Sequence, residues 1–250
     1  MDCEKILTKI QSFIQERVTK AKAKGVILGL SGGIDSALVA TLCKRALKDE
    51  VFALLMPTKH SNKANLKDSL RLCESLNLKY KIINIEAILQ AFLKESEMLD
   101  KIRTGNYAAR IRMSLLYDYS AFKNYLVVGT SNKSELMLGY STIYGDLACA
   151  FNPIGGLYKS EIYTLAKYLN LDANFLQKAP SADLWENQSD EEDLGFSYAL
   201  IDEGLRALEK NDTLRISKLN PCLISMLQQR IKQNAFKREM PPILCLDEFL

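Results

Sequence analysis

Leu28-Gly29-Leu30-Ser31-Gly32-Gly33-Ile34-Asp35-Ser36 decides how this chain is read, because an apolar run passes directly into glycines and hydroxyls and then into a helical pattern. Gly25 to Leu30 is β-branched and apolar enough for a buried parallel strand, while Ala37, Leu38, Ala40, Leu42 and Leu47 continue at helical spacing. Strand, loop and helix are therefore predicted in that order. Gly32 and Gly33 carry no Cβ, so the backbone can turn tightly and aim successive N–H groups at one anion at the helix N-terminus. The expected anion is a phosphate. No Gly-x-x-x-x-Gly-Lys-Ser/Thr pattern surrounds the loop, which separates it from the kinase and GTPase cradles and leaves Ser31, Ser36 and Asp35 in their place. A carboxylate in a phosphate site repels its ligand unless a divalent cation lies between them, which makes Asp35 a candidate magnesium ligand.

Working outward, strands and helices alternate. Val51 to Met56 is a second apolar run ending at Pro57, residues 62 to 76 read as a helix with Leu66, Leu70, Leu72, Cys73 and Leu76 inward, and Lys79 to Ile85 reads as a third strand. Tyr125 to Gly129 is a fourth strand, and residues 152 to 159 hold a short fifth strand and turn before a helix to Leu169. This alternation predicts an α/β fold, an open five-stranded parallel sheet with helices on both faces, and ligands at the carboxyl ends of the strands. Ahead of it, Ile6, Leu7, Ile10, Phe13, Ile14 and Val18 share one face of a helix that covers the sheet or supports a subunit contact. Residues 57 to 62, with His60, form a candidate flap, and residues 178 to 195, the longest stretch without periodicity, a candidate lid. Two further helices are expected over 197 to 209 and 220 to 234.

Composition narrows the function classes. With 250 residues, 48% of them hydrophobic, the chain can bury a sizeable core, and residues 1–250 are read as one domain with a covering helix, a sheet core, C-terminal helices and a tail. A net charge of +3, from 33 basic and 30 acidic residues, is too even for a nucleic-acid partner to be expected. The six cysteines stand singly with His60 as the sole histidine, which suits reduced thiols and a cytoplasmic location rather than zinc. Asp2, Glu4, Lys5 and Lys9 interrupt the N-terminus, and no apolar run spans a bilayer, so neither secretion nor a membrane partner is expected.

Three polar segments lie at or beyond the strand ends. Gly105-Asn106-Tyr107-Ala108-Ala109-Arg110-Ile111-Arg112-Met113 opens a helix running to Tyr119, with Asn106 and Arg110 four residues apart on one face. The fourth strand delivers Thr130-Ser131-Asn132-Lys133-Ser134-Glu135, whose carboxylate suits a metal shared with Asp35. Lys159 opens its helix against the dipole, which hints at an anionic partner.

The first loop resembles the pyrophosphate loop of the N-type ATP pyrophosphatases. The order of the segments at 105, 130, 139–140 (Gly-Tyr), 144–146 (Tyr-Gly-Asp), 159, 178–195 and 235–242 is similar to that of the ammonia-dependent NAD synthetases within that superfamily. The resemblance implies ATP contacts at Gly29, Leu30, Ser31, Gly32, Gly33, Ile34, Asp35, Ser36, Thr130, Lys159 and Ser181. It implies magnesium ligands at Asp35 and Glu135, dinucleotide contacts at Asn106, Arg110, Phe236 and Lys237, and catalytic work by Asp35, Glu135 and Lys159. The implied substrates are ATP, deamido-NAD and ammonia, with Mg2+ as cofactor and a homodimer as the assembly. Ammonia is expected as the nitrogen donor because the chain has no room for an amidase domain ahead of the covering helix. Phe236 replaces the usual histidine, Ile143 a lysine, Ala150 an aspartate and Gly156 a subgroup's aspartate, so the same reaction is expected with altered substrate contacts. The alternatives are a GMP-synthetase-like adenylating ligase and a non-catalytic adenine-nucleotide module. The first would lack the segments at 105 and 130, and Asp35, Glu135 and Lys159 together speak against the second.

Overall fold

The computed structural model describes residues 1–97, 100–181 and 188–245. Helix α1 (Cys3–Lys20) is capped by Asp2 and turns Leu7, Ile10, Ile14 and Val18 inward. Strand β1 (Gly25–Gly29) leads into α2 (Ile34–Leu47), and β2 (Val51–Leu55), α3 (Lys63–Ser75) and β3 (Lys79–Ile82) repeat the unit. Helices α4 (Glu86–Lys94) and α5 (Lys101–Lys123) precede β4 (Tyr125–Val127). Beyond the sheet come α6 (Lys133–Leu138), α7 (Lys159–Tyr168), α8 (Ala173–Gln177), α9 (Asp190–Leu194), α10 (Tyr198–Glu209), α11 (Thr213–Ile216), α12 (Pro221–Gln233) and a 3-10 turn (Ala235–Arg238).

Among the described residues the sheet has four strands in the order β3-β2-β1-β4, all parallel, with Ile27 of β1 level with Phe52 of β2 and Val127 of β4. The expected fifth strand is reduced to one bridge between Val128 and Phe151, in which the Gly129 N–H donates to the Phe151 carbonyl at 2.9 Å. The ladder stops there because Pro153 has no N–H to donate and the chain turns at once through Gly155 and Gly156. Helix α5 begins earlier than its periodicity suggests, because Asp100 accepts from the Arg103 N–H at 2.7 Å and supplies a cap within an otherwise unpatterned charged stretch.

The alternation of β1 sorts the core into two layers. Val26, Leu28 and Leu30 face α1, α2, α3 and α7, whereas Ile27 faces α4 and α5 together with Leu54, Ile85, Leu89 and Ile111. Such a strand is buried on both faces, which is why it reads as a continuous apolar run. A third cluster joins α6 to α10 and α12 through Leu138, Ile201, Leu205, Leu223 and Leu227. No helix of the described residues is long and apolar enough to cross a membrane.

This strand order places the site. From β1 the chain goes to β2 and β3 on one side, then returns to β4 on the other. The connections after β1 and β4 diverge, opening a crevice between their carboxyl ends.

Candidate active site

Residues 30–36 and 129–135 occupy that crevice, which widens into a cavity of about 1040 Å3. Gly33 starts α2 without a side-chain cap, as a helix end that receives an anion requires. The loop is rigid through its own hydroxyls: Ser31 and Ser36 Oγ lie 3.0 Å apart, the Ser31 N–H donates to Ser36 Oγ at 3.2 Å, and the Gly33 N–H donates to Ser31 Oγ at 3.2 Å. Gly32 has φ +84°, and a Cβ there would stand 2.3 Å from the Asn65 carbonyl oxygen, so glycine is required both by conformation and by the approach of α3. Lys178 fastens the same loop to α3, donating to the Gly32 carbonyl at 3.2 Å and Asn65 Oδ1 at 2.8 Å while pairing with buried Asp68.

The chemistry converges on Lys159. Its side chain is 3% exposed, and Nζ lies 2.5 Å from Asp35 Oδ2 and 3.3 Å from Glu135 Oε1, joining residues from the first loop, α6 and α7. Burial pushes the ammonium pKa down; the Asp35 and Glu135 carboxylates outweigh it and hold the pKa above that of an ordinary lysine. Burial pushes the Glu135 carboxyl upward, with Lys159 opposing and Asp35 reinforcing the rise. Glu135 also serves the backbone. Asn132 caps α6 by accepting from the Glu135 N–H at 3.0 Å, and Glu135 Oε2 accepts in return from the Asn132 N–H at 3.3 Å. Asn132 Nδ2 then reaches Asp35 Oδ1 at 3.0 Å, so both carboxylates are oriented by one asparagine.

Two carboxylates directed at one cation, beside a loop with anion-binding amides, suit a magnesium ion that takes its other oxygens from phosphates and water. No group of three or more His, Cys, Asp or Glu side chains able to hold a metal occurs among the described residues.

Most of the sequence-predicted residues line this one cavity. Gly29, Leu30, Ser31, Gly33, Asp35 and Ser36 line it from the first loop, Thr130, Glu135, Lys159 and Ser181 from later segments, and Asn106 and Lys237 beside Thr142 and Ser141. There, Asn106 accepts from Thr142 Oγ1 at 2.7 Å, and Lys237 donates to the carbonyls of Gly139 at 2.8 Å and Ser141 at 2.9 Å. Burial pushes the Asp146 carboxyl up and the Lys237 ammonium down, each partly offset by the other's charge.

Four expected residues stand outside the wall: Gly32 packs on α3, Ile34 points into the core, Arg110 is half-buried on α5, and Phe236 is 58% exposed. Arg112 lines the cavity instead, with its Nε donating to the Met56 carbonyl at 3.1 Å. His60 is exposed, while Pro57 and Ser61 of the candidate flap do line the cavity. The candidate lid between Ser181 and Gln188 lies outside the described residues.

Sequence reasoning passed over Asn132, Lys178 and Asp190. Asn132 had a signal, since Asn-Lys-Ser-Glu ahead of Leu-Met-Leu is a capping-box pattern. Lys178 and buried Asp190, on the cavity wall, had none, because each meets the site only through folding.

The family model described as NAD synthase matches residues 6–241. An NH(3)-dependent NAD(+) synthetase of Campylobacter jejuni is 71% identical over 244 residues, covering 98% of this chain and 99% of that protein. The solved structure of the NH3-dependent NAD synthetase from C. jejuni in complex with the nitrate ion superposes with a TM-score of 0.88 at 64% identity, covering 98% and 99% of the two chains. That of NMN synthetase from Francisella tularensis superposes with a TM-score of 0.90 at 31% identity and the same coverage. With the loop after β1, the capped glutamate after β4 and the lysine of α7 gathered at one crevice, and a family match over nearly its whole length, this chain belongs to the NAD synthase family.

Proposed function

We infer that the protein is an ammonia-dependent NAD synthetase, an ATP-dependent ligase that adenylates the nicotinate carboxylate of deamido-NAD and replaces AMP by ammonia. The observation that carries this reading is the convergence of Asp35, Glu135 and Lys159 beside the glycine loop, in a chain 71% identical to an enzyme of that name. A carboxylate does not accept an amine directly, because its oxygen is a poor leaving group; adenylation removes the obstacle.

The loop amides and the hydroxyls of Ser31 and Ser36 receive ATP phosphates, with Thr130 and Ser181 lining the same cavity. A substrate carboxylate oxygen attacks the α-phosphorus, and the bond to pyrophosphate breaks with the electron pair leaving on pyrophosphate. Lys159 supplies a fixed positive charge where that negative charge grows. Asp35 and Glu135 are the residues that would hold a magnesium ion, which would supply positive charge to offset that of the polyphosphate. Ammonia nitrogen then attacks the acyl carbon, AMP departs with the former carboxylate oxygen, and the nitrogen loses a proton to give the amide. No side chain acts as a covalent nucleophile, so catalysis is positioning and charge stabilisation.

Asn106 and Lys237 are assigned to the dinucleotide end of the cavity. Arg110, outside this wall, and exposed Phe236 are assigned to a substrate contact completed in a homodimer.

The test is pyrophosphate release from ATP and magnesium, with deamido-NAD and ammonium each added or withheld and the product followed by mass. Release that requires deamido-NAD, with NAD appearing only when ammonium is present, is the expected result. ATP binding without release or conversion would refute the assignment. The likeness to an NMN synthetase calls for one further arm with nicotinate mononucleotide; faster turnover of that substrate would replace the dinucleotide in this reading.

A further inference from the structure

Helix α7 places Lys159 at its first position, yet the preceding residue, Tyr158, has no short polar side chain to cap the exposed amides. A cation there also opposes the helix dipole. Two other helices satisfy these amides. The Lys159 N–H donates to Ser134 Oγ of α6 at 3.0 Å, and the Ser160 N–H donates to Asp202 Oδ2 of α10 at 2.7 Å. The Ser134 hydroxyl donates to Asp202 Oδ1, so both carboxylate oxygens are engaged. Asp202 is 2% exposed, Ser134 is fully buried, and neither lines the cavity.

We propose that Asp202 is a positioning residue for the reaction, holding Lys159 and Glu135 in register with Asp35 without touching a substrate. Ser134 precedes Glu135 on α6, and Ser160 follows Lys159 on α7. One carboxylate on α10 therefore grips both helices that deliver the groups facing Asp35. Its negative charge lies at the helix end where the dipole favours an anion, which offsets the unfavourable placement of the Lys159 ammonium. The grip is separate from the general docking of α10, which Ile201 and Leu205 in the core and the 2.9 Å Arg206–Glu161 ion pair maintain. Loss of Asp202 thus loosens the first turn of α7 while the helix pair stays packed.

The proposal takes its activity readout from the synthetase reading and its exchange readout from the fold alone. Asp202→Asn keeps the volume and an acceptor for Ser160 but cannot accept from Ser134 as well. Ser134→Ala removes the acceptor of the Lys159 amide. In both variants, kcat for pyrophosphate release should fall about 10- to 100-fold, the scale of a small misplacement of a charge-stabilising group, with the KM for deamido-NAD unchanged. Amide exchange at Lys159 and Ser160 should accelerate in parallel. Asp212→Ala, which removes the remote cap of α11, is the control for plain loss of stability and should leave kcat unchanged. Wild-type kcat in Ser134→Ala, unchanged exchange at the two amides, or an equal fall in Asp212→Ala would overturn the proposal. Should Asp202→Asn not fold, Ser134→Ala decides by the same readouts. Wild-type protein that releases no pyrophosphate overturns the synthetase reading before any variant is compared, and the exchange data still judge the cap.

Discussion

Replacing Lys159 by methionine removes the ammonium between Asp35 Oδ2, at 2.5 Å, and Glu135 Oε1, at 3.3 Å, while keeping most of the side-chain volume. The lysine side chain is 3% exposed and the carboxylates 16% and 17%, so solvent from the cavity replaces only part of the lost interaction. Removing one partner of a buried charge pair costs about 3–5 kcal/mol. For a chain of this size each kcal/mol lowers the unfolding midpoint by roughly 2–4 °C, which gives a fall of about 6–20 °C without divalent cation. Pyrophosphate release should fall about 10²- to 10³-fold, the usual loss when one fixed charge-stabilising group is removed. Magnesium should raise the midpoint of the variant more than that of the wild type, because the two carboxylates then have no other cation. Thermal unfolding with and without magnesium, beside the release assay, measures all three effects. A methionine variant with wild-type midpoint and rate would refute both the electrostatic and the catalytic role given to Lys159.

Gly32→Ala should abolish ATP binding measured by calorimetry, since its Cβ would meet the Asn65 carbonyl at 2.3 Å in a backbone conformation of φ +84°; wild-type affinity would show that the loop relaxes freely. Lys178→Met should destabilise the protein near neutral pH and progressively less in acid. Burial raises the Asp68 carboxyl, but hydrogen bonds from Lys178 and Arg71 outweigh it and hold the pKa below the ordinary aspartate value. The clamp is therefore fully present above that value and is lost as pH falls below it, so the midpoints of variant and wild type should converge in acid; a constant difference would contradict the linkage. Thiol labelling should reach exposed Cys222 and Cys245 first. Cys43 and Cys73, which burial pushes up to about 12 and about 11, should react only on unfolding, and early labelling of either would contradict their burial.

Local order determined much of this protein. The passage from Gly25–Leu30 into two glycines is a statement about neighbouring residues, as are the alternation through β3 and the polar run after β4, so period and turn chemistry reveal them directly. They were sufficient for the parallel α/β fold, for the crevice and for Asp35 as a residue to watch, whereas the roles expected of Glu135 and Lys159 came from the resemblance in segment order. The fifth strand failed because an apolar run does not announce whether a partner strand accepts its hydrogen bonds, and Pro153 ends the ladder after one bridge. Only the tertiary structure decided which charges meet. Asn132 and Lys159 approach Asp35 from 97 and 124 residues away, and Lys178 reaches Gly32 from 146. It also decided that Arg112 rather than Arg110 lines the cavity, and that the cap of α7 comes from Ser134 and Asp202. Pairings of this kind depend on where the strand order β3-β2-β1-β4 brings the loops, and no local pattern in the chain encodes that distance.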